Sequence, residues 1–143
     1  MRHLPLIKSV MTPFPWSVDV GATVDQAQAF MREHHIHHLP VTRDGELAGI
    51  VSDRDLKLVV GPDFAYPDGR AVHVGSVMMS PAYTVELEAH LDDVLAYMAE
   101  RRIGAALVTR KGKLAGVFTV TDACRHFAEF LREQFRRSGG SVA

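Results

Sequence analysis

Asp44-Gly45-Glu46-Leu47-Ala48-Gly49-Ile50-Val51-Ser52-Asp53-Arg54-Asp55 returns 67 residues later as Lys111-Gly112-Lys113-Leu114-Ala115-Gly116-Val117-Phe118-Thr119-Val120-Thr121-Asp122. Extended outward, Asp25 to Asp55 aligns with Asp92 to Asp122 without a gap, and 13 of the 31 pairs are identical. Unrelated segments of ordinary composition match at about two positions over such a length. The chain is a tandem duplication. Further upstream, Met11-Thr12-Pro13 matches Met79-Ser80-Pro81 at a shift of 68, so one inserted residue intervenes.

Each copy carries the same element signals. Trp16 to Val20 is extended and apolar, and Thr23-Val24-Asp25-Gln26 has the form of a helix-starting capping box. Val24, Ala27, Phe30 and Met31 follow at helical spacing. Leu39 to Thr42 and Leu47 to Val51 are short strands joined at Asp44-Gly45, a hairpin dipeptide. Asp53 to Val60 is a second helix. The later copy repeats this with an extended Tyr83 to Val85, a helix from about Leu91, strands Ala105 to Thr109 and Leu114 to Phe118, and a longer closing helix to about Arg137. Phe127, Phe130, Leu131 and Phe135 form the apolar stripe of that helix, suited to a core or to a dimer contact.

The order is β-α-β-β-α, twice. One copy is too small to cover both faces of its own sheet, so the two are expected to share a single α+β domain over residues 1–143. The first repeat is expected over 8–60 and the second over 75–137. A connecting loop over 61–74 is marked by the breakers between Gly61 and Arg70. The ending Ser138-Gly139-Gly140-Ser141 is expected to be mobile.

Composition narrows the function. The chain of 143 residues has 16 Lys and Arg against 17 Asp and Glu, a net charge of −1, which argues against a basic nucleic-acid binder. Apolar residues at 47% with 23% charged residues suffice for a core, and no run of 18 apolar residues suggests a membrane span. No secretory hydrophobic region opens the chain, and a cytoplasmic location is expected. The single Cys124 excludes an intrachain disulfide framework and a Cys-rich zinc site, and reads as a small buried hydrophobe. In the last helix, Glu129 and Glu133 lie one turn from Arg132, Arg136 and Arg137, so intrahelical pairs account for those charges. His34, His35, His37 and His38 straddle a helix-to-strand junction and are not expected to converge on a metal. No nucleophile with a base, paired carboxylates or phosphate-gripping loop with lysine points to catalysis.

The repeated motif is glycine, two apolar residues, a hydroxyl residue, two variable residues and aspartate. Ser52-x-x-Asp55 and Thr119-x-x-Asp122 are both capping boxes in form. The same strand-to-helix turn also suits a nucleotide: backbone N–H groups and the cap hydroxyl for phosphate, and the carboxylate for the two ribose hydroxyls. Arg54 and Lys57 either neutralise such a phosphate or belong to a solvated helix face. Both readings of the motif stand.

The duplication, with Val10-Met11-Thr12-Pro13, Ile36-His37-His38-Leu39-Pro40-Val41 and Asp44 to Asp55, resembles a CBS domain, and the whole resembles a tandem CBS pair, or Bateman module. The resemblance covers about Val10 to Cys124 and implies a stand-alone module. It implies two sheets packed face to face with pseudo-twofold symmetry and helices outside. It also implies clefts between the repeats for an adenosyl ligand such as AMP, ADP, ATP or S-adenosylmethionine, with no other cofactor required. By position, Asp55 and Asp122 would hold ribose, and Ser52 and Thr119 would contact phosphate or ribose. Arg54 and Thr121, inside the same two motifs, are counted among the expected ligand-binding residues. Ile36, His37, His38 and Pro40, and in the second copy Ile103 and Ala105, would frame the base, and Thr12 and Ser80 would line the clefts. A homodimer that signals to a separate regulated protein is expected, with neither membrane nor nucleic acid. Gly104-Ala105-Ala106-Leu107 replaces His37-His38-Leu39-Pro40 in the second copy, so unequal binding by the two clefts is expected.

Overall fold

The computed structural model describes residues 3–59 and 72–136. The expected connecting loop, apart from residues 72–74, and the Ser138-Gly139-Gly140-Ser141 ending lie outside the described residues. In chain order the elements are β1 (Thr12–Pro13), β2 (Val18–Asp19), α1 (Val24–His34), β3 (His38–Arg43), β4 (Glu46–Ser52), α2 (Asp53–Val59), β5 (Thr84–Glu86), α3 (Leu91–Arg101), β6 (Ala105–Arg110), β7 (Lys113–Thr119) and α4 (Val120–Gln134). Single 3-10 turns, Ile7–Ser9 and Val74–Ser76, precede the two repeats' leading segments.

Local chemistry starts and stops these elements. At the head of α1 the Thr23 N–H donates to Gln26 Oε1 at 2.9 Å, and the Gln26 N–H donates to Thr23 Oγ1 at 3.2 Å. Both β hairpins turn on two left-handed residues, Asp44 and Gly45 in one and Lys111 and Gly112 in the other. That geometry matches the twist of the flanking strands. The register irregularity between Val41 and Thr42 recurs between Val108 and Thr109, so the duplication extends to the bulge.

The strands form two sheets, β2-β3-β4 and β1-β7-β6-β5, with helices outside. β4 and β7 face each other where the sheets meet. The sheet memberships cross over. β1, which leads the first repeat, pairs antiparallel with β7 of the second, Thr12 opposite Val117 and Pro13 opposite Gly116. Reciprocally, Met79, leading the second repeat, exchanges backbone hydrogen bonds with Ile50 of β4 at 2.8 and 3.1 Å.

The cores follow the same exchange. Ile7 is fully buried with Val94, Met98, Ala106, Val108 and Phe118 of the second repeat. Val72 and Val74 are buried with Val24, Ala27, Met31, Leu39, Val41, Val51 and Leu56 of the first. The Ile7 N–H donates to Ala89 O and the Val74 N–H to Ala22 O, each at 2.8 Å. The ranges 8–60 and 75–137 therefore describe chain order, whereas in space each leading segment completes the other repeat.

One side-chain expectation is corrected, and one of two alternatives falls away. Cys124 is exposed, not buried. The α4 stripe is no part of the core either, since Phe127, Phe130, Leu131 and Phe135 are all exposed. The reason is common to both. Asp122 and Ala123 form the inward side of α4, so Cys124 and the stripe lie on flanks that the chain covers in part at most, Phe127 and Phe130 bordering a hollow with Pro5, Val10, Leu91 and Leu95. No described helix is long and apolar enough to cross a membrane.

The crossover needs bare backbone on the inner strands. A Cβ at Gly49 would lie 2.5 Å from Met79 O, and one at Gly116 would lie 3.0 Å from Thr12 O. Gly49→Ala is expected to cost about 1–3 kcal/mol through overpacking against backbone that cannot rotate away. Urea unfolding should show a lower midpoint at an unchanged slope. An unchanged midpoint would mean that the crossing segment is not held against β4.

Candidate functional site

A cleft of about 860 Å³ opens between the repeats. The first repeat supplies His38, Ile50, Ser52 and Asp55. The second supplies residues 79–84 from Met79 to Thr84 without Ser80, and Tyr97 with residues 101–105 from the end of α3 into β6. The volume lies within the usual range for a small-molecule site, roughly 300–1,000 Å³.

Ser52 and Asp55 stand where β4 becomes α2. The Ser52 N–H donates to Asp55 Oδ2 and the Asp55 N–H donates to Ser52 Oγ, both at 3.1 Å. The capping box is therefore real, and its carboxylate still faces the cleft. Asp55 Oδ1 has no hydrogen-bond partner among the described residues. The turn offers less to a phosphate than the sequence suggests, because the Asp53 N–H is already spent on His37 O at 2.8 Å.

His38 packs against Gly104 of the other repeat, where an added Cβ would lie 3.2 Å from its Nε2. Burial in this contact disfavours the imidazolium and lowers the His38 pKa below 6.5; His37 adds to the effect and Asp55 opposes it. The neutral form of His38 therefore predominates at pH 7. On the facing wall Tyr83 stacks on Tyr97 at 4.4 Å between ring centroids, and the Arg101 guanidinium lies 5.5 Å from the Tyr97 ring.

The second motif is built differently. The Thr119 N–H donates to Asp122 Oδ2 at 2.9 Å and its hydroxyl donates to the same oxygen at 3.0 Å. Arg125 Nη1 donates to Asp122 Oδ1 at 3.1 Å. Both oxygens of Asp122 are thus engaged. At the pseudo-symmetric equivalents of Tyr83, Tyr97 and Arg101 stand Trp16, Phe30 and His34, packed on one another with Trp16 and His34 stacked at 4.1 Å.

Of the residues marked in the sequence, His38, Ser52, Asp55, Ile103 and Ala105 come together in the large cleft. Ile36 and His37 line a separate hollow of about 260 Å³ with Met31, Arg32, His35 and Asp53. Pro40 is buried inside β3, Arg54 is exposed outside the cleft, and Lys57 is paired with Asp53 at 2.9 Å. Thr12 lies in β1, Ser80 donates to Ala48 O at 2.9 Å, and Thr121 is exposed on α4. Among the described residues no three His, Cys, Asp or Glu side chains group as metal ligands. Tyr83, Tyr97, Arg101 and Arg102 were not singled out in the sequence. Their one signal is position, since Arg101 and Arg102 immediately precede Ile103.

The family model for the CBS domain matches residues 7–61 and 74–129. The chain belongs to the CBS domain family. Hypoxic response protein 1 of Mycobacterium tuberculosis is 31% identical to this CBS pair over 114 residues, 79% of this chain and 78% of that protein. Among solved structures, CBSX2 in complex with AMP is 26% identical with a TM-score of 0.75, covering 89% of this chain and 98% of that one. A CBS domain pair in complex with 5′-methylthioadenosine and S-adenosyl-L-methionine has a TM-score of 0.79 over 90% of this chain and 99% of its own, and at 20% identity it bears on the fold alone.

The lowered pKa of His38 has a sign. The folded pair holds the imidazole neutral, so its stabilisation is complete above pH 6.5. It is lost as pH falls through the lowered folded value, because the unfolded chain takes up the proton first. Urea unfolding from neutral to mildly acidic pH is expected to show a steeper loss of stability for the parent protein than for His38→Gln. Parallel slopes would mean that His38 titrates alike in both states.

Proposed function

We propose that this CBS pair is a non-catalytic sensor that binds one adenosyl ligand per chain in the Ser52–Asp55 cleft. The observation that carries this reading is the contrast between the two aspartates. Asp55 faces a ligand-sized cleft with one oxygen open to the paired hydroxyls of a ribose, whereas Asp122 is consumed by Thr119 and Arg125. The AMP complex of CBSX2 supports the adenosyl class. Occupation of the cleft would favour one arrangement of the repeats, and so alter contacts between two copies of the chain and with a regulated protein. On this reading the module works in the cytoplasm, where a lone exposed thiol such as Cys124 stays reduced.

The test is calorimetric titration with AMP, ADP, ATP and S-adenosylmethionine, with GTP as a control. One site per chain is expected. Asp55→Asn should weaken binding at least about tenfold, equivalent to about 1.4 kcal/mol. Asp122→Asn should lower stability and leave the affinity unchanged. Silence across the panel would favour instead a ligand-free interaction module in which both motifs are only caps.

The homodimer is part of the same reading, supported by the exposed apolar residues Leu95 on α3, Phe127 and Phe130 on α4 and Phe135 just past its end. Sedimentation should show a dimer that Phe127→Glu with Phe130→Glu converts to monomer. A parent protein that sediments as a monomer at all concentrations would rule it out.

A further inference from the structure

The fixed charges of the Asp55 cleft are unequally divided between its walls. The first-repeat wall carries the Asp55 carboxylate, and its His38 is mainly neutral at pH 7. The second-repeat wall carries Arg101 and Arg102. Arg102 is the left-handed cap that ends α3, with φ 56°, and the chain passes from it through Ile103 and Gly104 along the cleft into β6. Arg101 lies over the Tyr97 ring, and Tyr97 is held by Tyr83. The described ion pairs involve neither arginine. A guanidinium stacked on an aromatic face is held in place while keeping its N–H donors available.

With the carboxylate committed to ribose, two guanidinium groups, unpaired among the described residues, remain as the charges that a bound ligand meets. Their equivalents in the first repeat are His34 and His35, and His34 is stacked on Trp16. The arginine pair thus belongs to one cleft and is not a feature shared by both repeats.

We propose, resting on the reading that an adenosyl ligand occupies this cleft, that Arg101 and Arg102 make it selective for phosphate-bearing nucleotides over uncharged nucleosides and the sulfonium ligand. Guanidinium groups bind phosphate oxygens through charge-assisted, often bidentate hydrogen bonds. The same pair repels the sulfonium and ammonium charges of S-adenosylmethionine, whose single carboxylate leaves it net positive, and meets only a neutral group in a 5′-hydroxyl. The selected class is an adenosine 5′-phosphate, and the arginines determine specificity while Asp55 holds what all candidate ligands share.

The experiment is calorimetric titration of AMP, ADP, adenosine and S-adenosylmethionine into the parent protein, Asp55→Asn, and a double variant Arg101→Gln with Arg102→Gln. Both arginines are solvent-exposed, and circular dichroism and the unfolding midpoint check that the double variant folds. AMP is expected to bind the parent at least about tenfold more tightly than adenosine or S-adenosylmethionine. The double variant should lose that advantage while binding adenosine as the parent does. Added salt should weaken AMP binding to the parent more than to the double variant. If AMP binds, Asp55→Asn weakens it and the arginine changes leave the preference intact, the selectivity is overturned and the sensor reading survives. Tightest binding of S-adenosylmethionine would likewise overturn the selectivity and leave the sensor reading standing. If no adenosyl ligand binds the parent, both fall together.

Discussion

Two glycines on the inner strands, Gly49 and Gly116, set the terms for the rest of the molecule. Each presents bare backbone on which the other repeat's leading segment lies, Met79 over Gly49 and Met11-Thr12 over Gly116. A side chain at either point would hold the crossing strand away from the sheet. With both absent, Ile7 reaches the second core and Val74 the first. Neither repeat then has a complete core by itself, because an apolar residue of its own sequence neighbourhood is buried in the other. The exchange also builds the cleft: the chain that crosses at Met79 continues through Pro81, Ala82 and Tyr83, which form one of its walls.

A duplicated sequence thus gives its two matching motifs unlike surroundings. The backbone repeats itself down to the bulges, but the side chains at matching positions have diverged. Asp55 keeps an open oxygen where Asp122 is gripped by Arg125. Tyr83 and Tyr97 line a cleft, whereas Trp16, Phe30 and His34 pack together. Even the substitution of Gly104 where the first repeat has His37 has a packing reason, because His38 of the opposite repeat lies against it. A Cβ there would lie 3.2 Å from His38 Nε2, so any side chain in place of Gly104 would require His38 to shift. What reads along the chain as a degenerate motif is, across the pseudo-twofold, one half of a complementary contact.

That contact also explains why the charged character of the cleft is simple at neutral pH. Burial against Gly104 keeps His38 mainly neutral despite Asp55 nearby. The acid stays on one wall and the two arginines on the other, and neither is shielded by a mobile histidine charge.

The repeat, the order of its elements and the capping boxes were legible in the sequence, because they depend on neighbours within a few residues. Thr23 with Gln26, Asp44 with Gly45 and Ser52 with Asp55 each act over one turn, and all behave in the fold as their spacing implies. Asp55 could be marked for the same reason, as could His38, Ile103 and Ala105 from the family pattern. The exposure of Cys124 and of the α4 phenylalanines could not be read, since helical periodicity gives a stripe and not what covers it. Nor could the choice between Asp55 and Asp122, which are identical in motif. Their difference rests on Arg125 reaching one carboxylate and on the second-repeat wall closing over the other. Spacing within the chain specifies a duplicated α+β unit with two matching motifs. Which aspartate faces an open cleft follows from the packing, because a cleft is made by segments brought together across the crossover, far apart in the chain.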